Sequence, residues 1–164
     1  MTAASTPSPA RSVRAFTLVE LVLVLTLVGA GAMIAAPRYS RSLADARLRA
    51  AAGQVAARLD HARAAAAATR SPVTVAFDAA AGTATPSGLP AGANPQNGSP
   101  AAPLRLHDDP LAVKIDAVAF GNRPGPTFDA WGTPDGGGWV TLGVGSRQLR
   151  VTVDAGSGST EILR

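Results

Sequence analysis

The stretch Arg14-Ala15-Phe16-Thr17-Leu18-Val19-Glu20-Leu21 opens an apolar run that continues from Phe16 to Ala36 and carries a single carboxylate. A helix rises about 1.5 Å per residue, so roughly 20 apolar residues cross the hydrocarbon layer of a bilayer, and this run supplies that length before Pro37. Glu20 is the residue to explain. An ionisable side chain at the centre of a membrane helix costs about 2.5 to 3.5 kcal/mol on insertion scales, which points to a task and a partner. Close to the helix start it also reaches the headgroups at little cost, and both readings stand on this residue alone.

Outward on the amino-terminal side lies a short polar leader holding Arg11 and Arg14, closed by the small Ala15. Leader, small residue, Phe-Thr-Leu-Val-Glu and a long apolar helix together resemble the class III signal of type IV pilins and type II secretion pseudopilins. The resemblance implies that a prepilin peptidase cuts between Ala15 and Phe16 on the cytoplasmic side and methylates the new amino terminus. Glu20 becomes the fifth mature residue, and its carboxylate pairs with the amino terminus of a neighbouring subunit during assembly, replacing an unpaired intramembrane charge with a matched one. One departure from the pattern is Ala15, where the family usually has Gly. The competing reading is a secretory signal cut near Ala30, Ala32, Ala35 or Ala36, which the length of the apolar run and the charge of Glu20 oppose. Orientation is contested too: Arg38, Arg41, Arg47 and Arg49 follow the span, so a bare count of positive charge puts the carboxyl-terminal side inside, whereas the resemblance puts it in the periplasm.

Gly29 and Gly31 lie within the anchor and Pro37 ends the apolar run; by backbone exposure and a missing donor they loosen a helix, so a hinge between Gly29 and Pro37 is expected. The family's filaments commonly melt the helix between residues so placed. Beyond it, Ser40 to Thr69 is rich in Ala, Leu and Arg, with Leu43, Leu48, Val55, Leu59 and Ala62 following one face. That pattern predicts an amphipathic continuation of the anchor whose stripe needs a cover, with Arg41, Asp45, Arg49, Arg58 and Arg63 on the solvated side.

At 164 residues the chain allows one modest domain after the anchor, and the net charge of +4 is unevenly spread. Residues 37–70 carry seven Arg against two Asp, while residues 71–164 carry six basic against eight acidic side chains. A basic stalk therefore leads to a mildly acidic body. The stalk charge suits a solvated face near anionic headgroups, or pairing with acidic neighbours in a filament. With no cysteine, thiol catalysis, Cys-ligated zinc and disulfides are excluded, and the fold must rest on packing.

Ser71-Pro72 stops the helix, and Val73 to Phe77 alternates like a strand that Gly82 to Thr85 could pair with. Residues 86–103, dense in Pro, Gly, Asn and Ser, read as an extended loop. Short alternating runs follow at Val113–Phe120, Thr127-Phe128, Trp139–Leu142, Leu149–Val153 and Thr160–Leu163, the pattern of an antiparallel sheet. The order Phe128-Asp129-Ala130-Trp131-Gly132-Thr133, a Gly turn, Val140-Thr141-Leu142 and Val151-Thr152-Val153 with Gly156 after it is similar to the carboxyl-terminal region of H-type minor pseudopilins and of FimT-like pilins. The fold class expected is α+β and pilin-like: a long amino-terminal helix, half membrane anchor and half amphipathic, packed on an antiparallel β domain.

The chemistry of catalysis is sparse. His61 and His107 stand on a helix and in a loop with no histidine or cysteine beside them, so metal ligation is not expected. Asp108-Asp109 before Pro110 reads as a turn, Asp129 and Asp135 lack EF-hand spacing, and Gly136-Gly137-Gly138 reads as a hairpin turn rather than a phosphate loop. Trp131 and Trp139 are expected to pack in the sheet. The expectation is therefore a non-enzymatic minor pseudopilin of the H type, with no cofactor: leader 1–15, transmembrane helix 16–36, stalk 37–70 and periplasmic body 71–164, single-pass in a bacterial inner membrane. Its implied partners are prepilin peptidase, other minor and major pseudopilins, membrane lipid and the assembly platform. The alternative is a FimT-like minor pilin that takes up DNA, with Arg147, Arg150 and Arg164 neutralising phosphates.

Overall fold

The computed structural model describes residues 17–89 and 102–163. Ala15, Phe16, Arg164 and most of the expected 86–103 loop thus lie outside the described residues. Helix α1 (Leu18–Thr69) is followed by eight strands: β1 (Val73–Asp78), β2 (Thr83–Ser87), β3 (Leu104–Arg105), β4 (Lys114–Ala119), β5 (Thr127–Phe128), β6 (Gly138–Val144), β7 (Arg147–Val153) and β8 (Thr160–Leu163). The α+β expectation holds. The chain divides into two units at Ser40/Arg41.

The first unit is the amino-terminal part of α1. The backbone N–H of Glu20 donates to Thr17 Oγ1 at 3.2 Å and that of Leu21 to the Thr17 carbonyl, so Thr17 caps the helix and Thr-x-x-Glu supplies the signal for its start. Leu18, Val19, Leu21, Leu23, Leu25 and Leu27 are all exposed. The apolar window is long enough to cross a membrane and none of it is buried, which makes this helix a candidate membrane anchor. Helical assignment continues through Gly29 and Pro37.

In the second unit, Leu48, Ala51, Ala52, Val55, Leu59, Ala62 and Ala66 form the buried stripe of α1, at the three-and-four spacing of one helix face. Leu43, expected in that stripe, is 39% exposed and lies outside it. The stripe is covered by Val73, Val75 and Phe128 from one sheet and by Val140, Leu142, Val151 and Val153 from another, all in one core cluster. The antiparallel β domain expected consists of two four-stranded sheets, ordered β3-β2-β1-β5 and β4-β6-β7-β8. Phe77 and Phe120 stack with their ring centroids 5.9 Å apart.

β1 pairs with β2 as expected, but β2 extends through Pro86 and Ser87, which were assigned to the loop. Phe77 N–H donates to the Pro124 carbonyl and Val75 N–H to the Pro126 carbonyl, so the segment before β5 already runs along the free edge of β1. Gly125 lies between those two carbonyls, and a Cβ there would overlap the Val75 carbonyl oxygen. The run Gly136-Gly137-Gly138 is not a hairpin turn, because β5 and β6 belong to different sheets. Gly138 instead lets β6 lie against the Phe120 ring, where any side chain would clash.

Candidate functional site

In the anchor unit the chemistry reduces to Glu20. It lies in the first turn of α1, where a carboxylate is favoured by the unpaired N–H groups and the helix dipole. Gly29 and Gly31 have open space where a Cβ would stand.

In the body, the two arginines of the alternative reading separate. They are three residues apart on β7 and therefore point to opposite faces of its sheet. Arg147 follows the two-residue turn Gly145-Ser146 and pairs with Asp45 of α1, clasping the β6–β7 hairpin to the helix. Arg150 lies on the other face, its guanidinium 4.2 Å from the centroid of the Trp139 ring. Trp139 packs on the sheet as expected, half-buried beside this cation.

Trp131 does not pack in the sheet: it is 78% exposed. The loop that carries it is held rigidly, since Asp129 Oδ1 accepts the backbone N–H groups of Trp131 and Thr133, both at 2.8 Å, and Gly132 N–H donates to the Asp129 carbonyl. Sequence reasoning missed this because an aromatic flanked by short strands looks like a core residue; the signal was the Asp129-Ala130-Trp131-Gly132 turn itself. Gly132, at a φ of 78°, closes on the Arg63 stem. The Arg70 guanidinium stands 5.8 Å from the Trp131 ring centroid. Together Asp60, Arg63, Ala64, Ala67, Trp131 and Gly132 line an open groove of about 420 Å³.

Several carboxylates are engaged within the fold. Asp135 pairs with Arg123 and accepts the Thr127 N–H at 3.1 Å. Asp154 accepts from the backbone N–H and hydroxyl of Ser157 and from the Gly156 N–H, and these bonds hold its carboxyl below the ordinary aspartate range. The Asp108 carboxylate faces Arg105 at 3.7 Å, and its backbone carbonyl accepts from the N–H groups of Leu111 and Ala112, closing the turn expected there. Among the described residues no group of three metal-ligating side chains comes together.

The sequence model of the family described as type II transport protein GspH matches residues 51–157, from the stalk through the β7–β8 connection. The chain belongs to the GspH family. Searches of curated proteins and of solved structures gave no match. The family is one of structural pseudopilin subunits rather than enzymes, and the stretch that matches it holds most of the helix stripe and strands β1 to β7.

Proposed function

We propose that this GspH-family chain is a minor pseudopilin of a type II secretion system that joins the tip of a short periplasmic pseudopilus. The observation that carries the reading is the family match over the body together with an apolar, uncovered helix that holds one carboxylate in its first turn. On this reading residues 1–15 are a leader, removed by prepilin peptidase between Ala15 and Phe16, and the new amino terminus is N-methylated. Glu20 guides docking into the growing filament by pairing with a neighbour's amino terminus. Residues 16–36 hold the chain in the inner membrane, a hinge between Gly29 and Pro37 adapts the helix on assembly, and the body 71–164 makes lateral contacts in the periplasm with other minor and major pseudopilins. The work done is mechanical and requires no cofactor.

The separation of Arg147 from Arg150 favours this reading over DNA uptake. A phosphate-binding face needs several cations on one surface, and here one arginine is committed to Asp45 while the other stands against the Trp139 ring on the opposite face.

The test is the intact mass and amino-terminal sequence of the membrane-extracted protein, produced with and without prepilin peptidase. The expected product with peptidase begins at N-methylated Phe16, and without it at Met1. A product beginning near Ala36, or one unchanged by the peptidase, overturns the proposal.

A further inference from the structure

The groove beneath Trp131 has three features that an ordinary solvated helix face lacks. Its floor is made by Ala64 and Ala67, two small side chains on the same helix face, so an apolar side chain can approach the backbone closely. Its wall is a large aromatic that is 78% exposed and whose backbone is held by the Asp129 turn, so the loop that presents it is ordered before any partner arrives. Arg63 lines it and Arg70 stands beside Trp131, and neither arginine has an ion pair among the described residues. The nearby Asp60 is already engaged, accepting from the Thr160 hydroxyl at 3.2 Å.

Arg70 is the telling residue. It follows the last turn of α1 with a φ of 51°, and Ser71 N–H reaches back to the Ala66 carbonyl, which is a Schellman ending whose left-handed position is best filled by glycine. Arginine is the worse choice for the helix end. At that position, however, it places a guanidinium beside the exposed face of Trp131. The left-handed backbone at Arg70 is thus set against its side-chain contact with Trp131, and a local rule that yields in this way marks a candidate functional position.

We infer that the groove lined by Asp60, Arg63, Ala64, Ala67 and Trp131 is a docking site for a neighbouring pilin-like subunit of a different sequence, which inserts an apolar side chain against Trp131 and pairs an adjacent Asp or Glu with Arg70 and Arg63. The inference rests on the pseudopilin reading above. Charge selects the occupant: two guanidinium groups without an ion pair among the described residues call for an anionic partner, and a carboxylate beside an apolar side chain is the anion that a protein neighbour supplies. A second copy of this chain is disfavoured by symmetry. A groove that receives a different surface patch makes a head-to-tail contact, and with identical chains that contact repeats into a filament, which a minor subunit does not build.

The experiment uses the full-length chain in its native host, with the photoreactive p-benzoylphenylalanine replacing Ala64 at the groove floor. Illumination is expected to give an adduct with a different pilin-like subunit, joined at a peptide that contains Asp or Glu within a few residues of the attachment point. Adduct yield is expected to fall about tenfold or more in Trp131→Ala and in Arg70→Gly. Arg70→Gly is the decisive variant, because glycine suits the helix end: its melting temperature should match or exceed that of the unaltered chain while the adduct is lost. Adducts with phospholipid only, with a second copy of this chain, or at a peptide without a carboxylate overturn the inference, as does an unchanged yield in both variants. Amino-terminal sequencing of the same sample separates the two failures: Phe16 at the start with no adduct removes the docking site alone, and an unprocessed chain removes the pseudopilin reading beneath it.

Discussion

Asp154 shows how a single side chain can set a loop. It follows β7 directly, and its carboxylate gathers the Ser157 N–H, the Ser157 hydroxyl and the Gly156 N–H, while its own N–H donates to the Ser159 carbonyl. Hydrogen bonds to the charged form favour ionisation, so the folded pKa lies below the unfolded one. The bonds therefore support the β7–β8 connection fully above the ordinary aspartate value, and that support is lost as pH falls through the lowered folded value. A carboxyl-detected titration by nuclear magnetic resonance should give Asp154 a midpoint below that of a free aspartate, moving partway back in Ser157→Ala, where the hydroxyl bond is gone and the backbone bonds stay. An ordinary midpoint in the unaltered chain would sink this account of the turn.

At the scale of elements, the strands with clean alternation were legible. Val73 to Phe77 falls where its period-two pattern puts it, because burial on one face leaves a one-residue slip no room, and Thr160 to Leu163 forms a strand where expected although neither of its faces is buried. β3 was not legible, being two residues long beside a Pro-rich stretch, and neither was the division into two sheets. Alternation reports that a strand has one buried face; it does not say which partner the strand finds. The same limit hid the reason for Gly125, which sequence alone reads as one more loop glycine between Pro124 and Pro126. In the structure it is the point where the chain presses against β1, so Gly125→Ala must push backbone away from backbone. The expected cost is about 1 to 3 kcal/mol in chemical denaturation of the full chain. Gly136→Ala, at a glycine with open space around it, should stay within about 0.5 kcal/mol. Equal losses at the two positions would mean that close approach to β1 is not what Gly125 is for.

At the scale of the whole molecule, the chain is divided by the solvent each part requires. From Arg41 onward the core covers its own apolar stripe, whereas the large apolar side chains described between Leu18 and Met33 are exposed. That division was readable from composition, since an apolar run of membrane length needs no tertiary information to be recognised. The exposed Trp131 was not, since only the folded turn reveals which side of it faces out. Glu20 ties the two solvents together, because it contributes nothing to the body and costs the anchor only a little at the helix start. If its purpose is docking, Glu20→Ala should insert into the membrane as well as the unaltered chain and still be cut before Phe16. It should then fail to co-purify with other pseudopilins, and Glu20→Asp should restore the contact in part by returning the charge on a shorter stem. The readout is the ratio of processed chain to co-purified partner, compared across the three proteins. Loss of insertion or processing in Glu20→Ala would instead make the carboxylate a device of the signal, and full partner recovery in that variant would leave Glu20 as a headgroup-facing residue with no part in assembly.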